Sequence, residues 1–457
     1  MHLRIQSFAV RKILFFSPLL FFLFVISSPV QATEPDPVLD SLIERAFLRH
    51  PDLEAMRSMV EAADARRSMS RSLMNPELTL AIMDVPTDFS YDTDPSTAFQ
   101  IGIMQRFPWR GKRKASADAA SARVKADNIR LESARQNMAA MITMAYYELA
   151  ALEEEKVLLA DGLRLTEEMT RAATWMTSSA MGRLSDIEKA RLEEENWKLK
   201  IVANLGAIKR AQAAISYALG EPIDTLFFSR VHMPDGLPSL PVLDSLLAPE
   251  LFDQAPILQE EIASEQASRD DLAKAKLGWY PDFDVMLSYD IKPDLKSSGG
   301  VDHNGQPLPT GTIDQMNMIS LGVTFPLPLH GKGNQRAEIA ESSSMQRQAF
   351  AKIAATRLTL ENEVRQLHSV WEEQNNCCAF VQETLIGRAE SLYRTSLIDY
   401  QAGKTPFMEL SQARMSLVMA KMELSMSRAE AWGARAKLFA ALGILVPQLE
   451  EWTTNEK

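Results

Sequence analysis

The sequence predicts a mainly α-helical protein with a smaller β portion, built from two copies of one structural unit. The first observation is a hexapeptide, Pro-Val-Leu-Asp-Ser-Leu, which occurs at residues 37–42 and again at 241–246. The second is that a pair of prolines 25 residues apart follows each copy, Pro51 with Pro76 and Pro256 with Pro281. Self-similarity at a fixed offset indicates a duplicated unit, so each half of the chain is a guide to the other.

The N-terminus has the form of an export signal. A short basic stretch is followed by an apolar run over residues 13–26 and by a small residue at Ala32. This order predicts a signal peptide over residues 1–32. The apolar run is shorter than the ~20 residues that span a bilayer as a helix, which argues against a retained anchor. Loss of its three positive charges moves the net charge from −11 to −14, so nucleic acid is not expected as a partner.

The two cysteines, Cys377 and Cys378, are neighbours in a stretch that reads as helix. Adjacent cysteines in a helix cannot form an ordinary bridging disulfide. We therefore expect an exported protein without a disulfide framework. No cysteine follows Ala32 closely, so the lipid anchor of bacterial lipoproteins is not expected. The sequence indicates no role for the cysteine pair.

Each half contains two segments in which apolar residues alternate with polar or small ones, as Leu78, Leu80 and Ile82 do. Such alternation predicts β-strands, and each pair is expected to form a hairpin. The second hairpin has a longer loop rich in Gly, Pro and Asp. The four strands are predicted at about residues 77–84, 97–107, 282–290 and 317–326.

Long helices are predicted after each hairpin. Proline is absent between Pro108 and Pro222 and again between Pro328 and Pro406, which permits uninterrupted helix. Apolar or small residues recur at every seventh position of the first gap, which predicts a coiled-coil seam. The seam consists of Val124, Leu131, Met138, Ala145, Leu152 and Leu159.

A turn breaks each long helical region, and we call these turns the first tip (residues 178–186) and the second tip (residues 401–409). Each repeat is then one long helix beside two shorter ones, with a hairpin at one end and a tip at the other. The expected organisation is a first repeat over 33–220, a linker over 221–240, a second repeat over 241–445 and a tail over 446–457.

Four membrane-length strands in an exported chain cannot close a barrel alone, because lipid does not tolerate the two open edges. Three copies would supply twelve strands, which is a plausible barrel size. Aromatic residues at the strand ends suit a girdle at the membrane surface. Ordinary core packing is the alternative for each of these aromatics, which are Phe107, Trp109, Trp279 and Tyr280.

Several local motifs occur in a characteristic order. They are the strand entry Asn75-Pro76-Glu77-Leu78, the strand exit over residues 105–112, its counterpart over 325–332, and the closings Leu219-Gly220 and Leu442-Gly443. Together they resemble the TolC-type outer-membrane efflux proteins over nearly all of the mature chain. The resemblance implies a homotrimer with a twelve-stranded barrel in the outer membrane of a Gram-negative bacterium and an α-helical periplasmic tunnel.

The resemblance also implies a function and its partners. Such proteins are passive exit ducts that a periplasmic adaptor joins to an inner-membrane pump, here expected to be of the resistance-nodulation-division type. The adaptor is expected to dock on residues of both tips, Gly182, Arg183, Leu184, Ser185, Gly403, Lys404 and Thr405. A pore constriction is expected at Asp186, Glu409 and Gln412, where three copies of an acid would favour cations.

Each tip residue also has a purely structural interpretation. Asp186 and Glu409 stand at helix starts, where a carboxylate interacts favourably with the helix dipole. The family position favours the pore for Glu409, whereas the dipole interpretation is stronger for Asp186. Gly182 and Gly403 are turn formers by their chemistry. The family often has a second acid at the position of Gln412, so any ring of charge is expected to be weaker here.

Other function classes fit less well. The six histidines are scattered without the spacing of metal ligands, so neither an enzyme, a cofactor site nor a metal site is predicted. The alternatives are a periplasmic adaptor, which also has a signal peptide and a long helical hairpin, and a duct for type I protein secretion. The 23 methionines favour metal cations modestly over drugs, although methionine is commonly core filler. The Ile82-Met83-Asp84-Val85-Pro86 hairpin with the Phe107-Pro108-Trp109 exit also resembles ducts that serve heavy-metal pumps.

Overall fold

The computed structural model describes residues 36–87, 89–179, 183–222, 230–234, 236–301, 306–327, 330 and 333–444. The predicted signal peptide, the predicted tail and Gly182 lie outside the described residues. Most of the chain within these ranges is helical, with shorter strands at corresponding places in the two halves. No helix in the described ranges has the length and apolar character needed to cross a bilayer.

The two halves repeat the same order of elements. The first half comprises α1 (Pro37–Arg49), α2 (Pro51–Arg71), β1 (Glu77–Met83), β2 (Ala98–Phe107), α3 (Lys112–Ser178) and α4 (Leu184–Leu219). The second half comprises α5 (Leu243–Leu246), α6 (Pro249–Phe252), α7 (Pro256–Lys276), β3 (Phe283–Ile291), β4 (Leu295–Val301), β5 (Pro307–Ile313), β6 (Met318–Thr324), α8 (Gln335–Phe380), α9 (Ile386–Gln401) and α10 (Phe407–Leu442).

The long helices, the return helices and the helices before the sheet have equal lengths in the two halves, whereas the counterpart of the 13-residue α1 is the pair of four-residue helices α5 and α6. Helix α3 has 67 residues and is about 100 Å long. Its counterpart is the continuous helical run from Gln335 to Gln401, in which one π-helical turn, Val381–Leu385, joins α8 to α9. The return helices α4 and α10 have 36 residues each, and α2 and α7 have 21 each. The duplication detected in the sequence therefore extends to the lengths of these helices.

Proline and glycine fix the helix boundaries. Pro51 and Pro256 occupy the first position of α2 and α7, where a missing N–H costs nothing. Gly220 and Gly443 end α4 and α10 in the left-handed conformation, with φ of 70° and 80°. The glycines therefore set where the return helices α4 and α10 end, and the prolines set where the short helices α2 and α7 begin.

The helices bury one main apolar core, to which α1, α3, α4 and α10 contribute. Every residue of the seam predicted on α3 is buried or half-buried, which confirms the coiled-coil pattern. A second cluster forms around Phe252, Leu360 and Phe439 on α6, α8 and α10. Further small clusters follow the helices toward the tips, and these hold the long helices side by side.

The four predicted strands form one antiparallel sheet in the order β1-β2-β3-β6. The register pairs Leu80 with Ile101, Ile101 with Tyr289 and Tyr289 with Ile319. Strands β2 and β3, one from each repeat, are therefore neighbours at the centre. Strands β1 and β6 lie at the two edges of this sheet.

The loop between β3 and β6 differs from the expectation. The stretch predicted as a long Gly- and Pro-rich loop contains a second hairpin, in which β4 pairs with β5. The second residue of β4 is held by a backbone hydrogen bond from the N–H of Lys296 to the carbonyl of Asp92, 2.7 Å long, which reaches the loop of the first repeat. Cross-strand pairing overrides the low strand propensity of Gly and Pro here.

Candidate functional site: helix tips and the two faces of the sheet

The second tip is a tight turn that is closed by backbone hydrogen bonds. Gly403 has φ of +67°, a conformation that favours glycine. The N–H of Gly403 donates to the carbonyl of Tyr400 (3.0 Å) and the N–H of Lys404 donates to that of Asp399 (2.8 Å). This bonding pattern closes the end of α9, and Pro406 precedes the first residue of α10. Lys404 and Gly403 are exposed, whereas Thr405 is half-buried.

The first tip exposes a mixed apolar and basic surface. Arg183, Leu184 and Ser185 are all exposed, and the Leu184 side chain keeps 70% of its surface accessible. An exposed leucine at the start of a helix does not stabilise the fold of a single chain. Adaptor docking at the tip residues stays a prediction, and Gly182 is outside the described part of the chain.

The two tips pack against each other through a shared apolar cluster. Met169 of α3 and Ala190 of α4 join Phe407 and Leu410 of α10 in that cluster. The rings of Tyr400 and Phe407 meet edge to face, with centroids 6.5 Å apart. Both turns therefore form one continuous end of the molecule, although they are far apart in the sequence.

The residues predicted at the constriction occupy two different environments. Asp186 is half-buried and its carboxylate lies 3.9 Å from the ammonium of Lys189 in the same helix. Burial, and to a smaller degree the charge of Asp186, raises the pKa of Tyr400. Glu409 and Gln412 are both exposed and lie three residues apart, on one face of α10. Their predicted role in a pore is compatible with that exposure.

The aromatics predicted for a girdle cluster where the sheet meets the helices. Trp109 stacks on Tyr280 with ring centroids 5.3 Å apart, and Phe107 stacks on Phe283 at 5.5 Å. Tyr280 keeps 49% and Trp279 keeps 39% of its surface accessible. Stacking and exposure occur together, so these rings form a surface band and not a buried core. The membrane girdle itself stays a prediction.

The four-stranded sheet has one apolar and one polar face, because alternate side chains point in opposite directions. The apolar face exposes Leu80 (70%), Ile319 (73%) and Leu321 (73%). On the polar face, the amide of Gln100 donates to the carboxylate of Asp290 at 2.8 Å. These two faces meet the needs of strands between lipid and water.

The polar face continues to the helical end of the sheet. There the guanidinium of Arg106 is bonded to Asp284 through two nitrogens, at 2.8 and 3.2 Å. Lys112, at the start of α3, pairs with Asp282 at 2.9 Å. Both ion pairs join the strand exit of the first repeat to the strand entry of the second, so they align the two hairpins within the sheet.

Comparison with known proteins decides what this architecture is. Residues 42–221 and 247–444 match the family described as "Outer membrane efflux protein". The chain belongs to the outer membrane efflux protein family. It is 22% identical over 388 residues to the cobalt-zinc-cadmium resistance protein CzcC of Cupriavidus metallidurans, a match that covers 83% of each chain. It is also 22% identical over 416 residues to the pyoverdine export outer membrane protein OpmQ of Pseudomonas aeruginosa, covering 83% of this chain and 80% of that one.

Solved channel structures share the fold. The outer-membrane channel OprN superposes with a TM-score of 0.74 at 16% identity, covering 89% of this chain and 90% of the other. CusC gives a TM-score of 0.71 at 15% identity, with coverage of 90% and 92%. VceC of Vibrio cholerae gives 0.72 at 16% identity, with coverage of 89% and 96%. The predicted fold class is confirmed by these matches.

Family membership settles the class of function and the location. This efflux protein is an outer-membrane duct with a periplasmic extension and is not an enzyme. The alternative of a periplasmic adaptor is thereby set aside.

The cysteines of this efflux protein have local structural partners. The Cys377 thiol lies 3.8 Å from the Glu423 carboxylate, and the hydroxyl of Ser427 donates to its sulfur at 3.4 Å. Cys378 is fully buried, and burial raises the pKa of its thiol to about 11. Both cysteines are free. Because thiolate is the reactive form, Cys378 is chemically quiet.

One feature near the second tip was missed by the sequence reasoning. Exposed residues recur every three or four positions along α10, in a line that begins at the predicted constriction. We call it the α10 stripe, and it comprises Glu409, Gln412, Ser416, Met419, Glu423, Met426 and Glu430. Three of its members are glutamates. A heptad search for uncovered residues on the return helices would have found it.

Proposed function

We propose that this protein is the passive exit duct of a tripartite efflux system and carries metal cations in preference to drugs. The observation that carries the proposal is the division of the sheet into an exposed apolar face and a hydrogen-bonded polar face. A polar surface of this kind lines a water-filled conduit, whereas the opposite face contacts lipid. Conduction through such a conduit requires no conformational energy from the duct itself.

The assembly follows from the sheet edges. Strands β1 and β6 carry backbone groups that lipid cannot satisfy, so each must pair with another strand. We propose a homotrimer in which β6 of one copy pairs with β1 of the next. Twelve strands would then form a barrel, with the helices continuing as a periplasmic tunnel.

The partners proposed are a periplasmic adaptor at the tips and an inner-membrane pump of the resistance-nodulation-division type. Support comes from the exposed side chains of Leu184 and Lys404, which stand on one continuous end of the molecule. An exposed apolar side chain and an exposed cation on the same end suit a protein partner whose own tip contributes apolar and acidic groups.

The preference for metal cations rests on charge. Glu409 stands in the first turn of α10 and two more glutamates follow on the α10 stripe, which would attract cations to the conduit. Similarity to a cobalt-zinc-cadmium resistance protein supports this cargo. Equal identity to a pyoverdine export protein supports organic cargo as the second candidate.

Deletion of the gene tests the cargo directly. Tolerance to copper, silver, zinc and cobalt should fall markedly in the deletion strain, while tolerance to hydrophobic drugs changes little. Complementation with the intact gene should restore metal tolerance. A strain that loses drug tolerance and keeps metal tolerance would replace the first candidate with the second.

A further inference from the structure

The strands of the four-stranded sheet contain four methionines, and all of them lie on the polar face. The register pairs Met83 with Ala98, Met318 with Asp290, and Met104 with Met286. With alternate residues on opposite faces, these positions share the side that carries Gln100 and Asp290. Met83 keeps 42%, Met286 38% and Met318 53% of its surface accessible. These methionines are not core filler.

The apolar face has a different composition. Its exposed residues are leucine, isoleucine, valine, phenylalanine and tyrosine, such as Leu80, Ile103 and Val323, and none is methionine. If methionine were present only as an apolar residue, the lipid-facing side would suit it as well as the polar side. Methionine differs from leucine in its polarizable thioether sulfur. The location of all four methionines on the polar face therefore indicates a role for the sulfur.

Two of these thioethers stand directly opposite each other in one row. Met104 on β2 pairs with Met286 on β3, and directly opposed residues have Cβ atoms about 5 Å apart. The row continues to Glu77 on one side and Gly322 on the other. A Cβ at Gly322 would lie 3.7 Å from the Met286 methyl carbon, an ordinary contact distance, so the end of the Met286 side chain lies over the glycine.

We propose that the Met104–Met286 row is a binding site for a soft monovalent cation such as Cu(I) or Ag(I). Thioether sulfurs favour soft cations, whereas Mg²⁺ and Ca²⁺ favour oxygen and Zn²⁺ favours thiolate and imidazole. Glu77 adds a negative charge beside Met104. Two neutral ligands on an accessible surface bind weakly enough for release, which conduction requires. This inference rests on the proposed function in that the polar face must line the conduit.

Silver binding to the purified, detergent-solubilised protein tests the site. Because thiols bind silver tightly, all variants carry Cys377→Ser and Cys378→Ala. Titration calorimetry with silver nitrate in chloride-free buffer should show binding that becomes at least about tenfold weaker in the Met104→Leu, Met286→Leu double variant. Leucine nearly conserves the volume of methionine, so the sheet should be retained.

Met345→Leu is the matched control, since Met345 is 53% exposed on α8 and far from the sheet in the chain. It should leave the affinity unchanged. Silver-edge X-ray absorption should show sulfur neighbours in the parent protein and fewer in the double variant. If the double variant fails to assemble, the single variants Met104→Leu and Met286→Leu, each expected to weaken binding, carry the test.

The site inference is overturned if the double variant binds silver like the parent protein, if Met345→Leu weakens binding equally, or if only oxygen or nitrogen neighbours surround the silver. A wrong assignment of the cargo would give a different result. In that case the deletion strain keeps its metal tolerance, while the purified parent protein still binds silver through Met104 and Met286.

Discussion

The two repeats form the same junction between helices but fill it differently. In the first repeat, the end of α4 meets the start of α2, and a Cβ at Gly220 would lie 2.6 Å from Cδ of Pro51. In the second, the end of α10 meets the start of α7, and a Cβ at Gly443 would lie 2.5 Å from Cδ of Pro256. A glycine against a proline thus sets the stacking of short helices in both repeats.

The side chains around the two junctions have diverged. In the first, His50 is only 5% exposed, its Nδ1 accepts from the N–H of Asp52 at 3.1 Å, and its Nε2 lies 3.2 Å from the carbonyl of Tyr217. The corresponding residue in the second repeat is Ala255, which provides no side-chain cap.

The surroundings of the second junction differ as well, although Ala255 itself is fully buried there. A cavity of about 320 Å³ lies beside it, lined in part by Met141, Leu360 and Ala441. The amide of Gln136 reaches the carbonyl of Gly443 at 3.2 Å, in place of the histidine bond of the first repeat. The comparison teaches that duplication preserved the backbone contact, which tolerates no side chain, and released the surrounding positions to change.

The largest effect is expected from the glycines themselves. Gly220→Ala and Gly443→Ala should each lower the free energy of unfolding by about 3 kcal/mol, because alanine is strained at positive φ and its Cβ clashes with proline. Thermal unfolding should show transitions lowered by similar amounts.

Gly206→Ala in α4 is the matched control for both glycine variants, since a Cβ there meets nothing closer than 3.6 Å. It lies within a helix and should stabilise the protein by about 0.5 kcal/mol. Variants at Gly220 and Gly443 that behave like Gly206→Ala would refute the shared-junction comparison.

Loss of the histidine should have the next largest effect. His50→Ala removes the cap of α2 and leaves a space behind, with an expected cost of about 2 kcal/mol. His50→Asn keeps a capping oxygen for the N–H of Asp52 and should cost about half as much. Thermal unfolding of both variants checks this order, and equal transitions would show that capping contributes little.

Matched alanines two residues before the glycines test whether the cavity beside the second junction offers usable room. Ala218 and Ala441 occupy corresponding positions, but Ala218 is 2% exposed whereas Ala441 borders the cavity. Ala218→Leu should cost about 2 kcal/mol through overpacking. Ala441→Leu should be close to neutral, within about 0.5 kcal/mol. Equal destabilisation in thermal melts would mean that the cavity offers no usable room.

The smallest effect concerns the ion pairs that Glu221 makes with Arg45 and Arg49 at the first junction. Hydrogen bonds from Arg45 and Arg49 hold the pKa of Glu221 below its ordinary value of 4.5. The ionised carboxylate is favoured in the folded state, so its stabilisation is present above pH 4.5 and is lost as the pH falls through the folded pKa.

Comparison of the parent protein with Glu221→Gln tests these ion pairs. The difference between their melting temperatures should be small at pH 7 and should shrink steadily as the pH is lowered below 4.5. A difference that grows on acidification would contradict the assigned sign.

The sequence predicted the parts of this fold that depend on periodicity and on proline and glycine. Alternation located the strands, and the prolines Pro51 and Pro256 marked the junctions. The β4–β5 hairpin could not be predicted, because its pairing comes from cross-strand contacts and not from the preferences of Gly- and Pro-rich segments. Nor could the π-helical turn at Val381–Leu385, which leaves the helical pattern on both sides intact.

The candidate site was predictable only in part. Gly403 predicts the second tip, because a turn with a left-handed residue favours glycine. The two tips pack together through Met169 and Phe407, which are more than two hundred residues apart in the sequence. No local sequence pattern could predict this contact. The methionines of the polar face were open to prediction, since strand alternation assigns Met104 and Met286 to the side of Gln100.

The most direct test of the duct is the labelling of adjacent residues on β6. Ser320 lies on the polar face and Leu321 on the apolar face, and both are exposed. Single cysteines at these positions, in a Cys377→Ser, Cys378→Ala background, are treated in intact outer membranes with a charged maleimide. We expect rapid labelling of the Ser320→Cys protein and protection of the Leu321→Cys protein by lipid. Equal labelling of both, or faster labelling of Leu321→Cys, would contradict a water-filled conduit on the polar face.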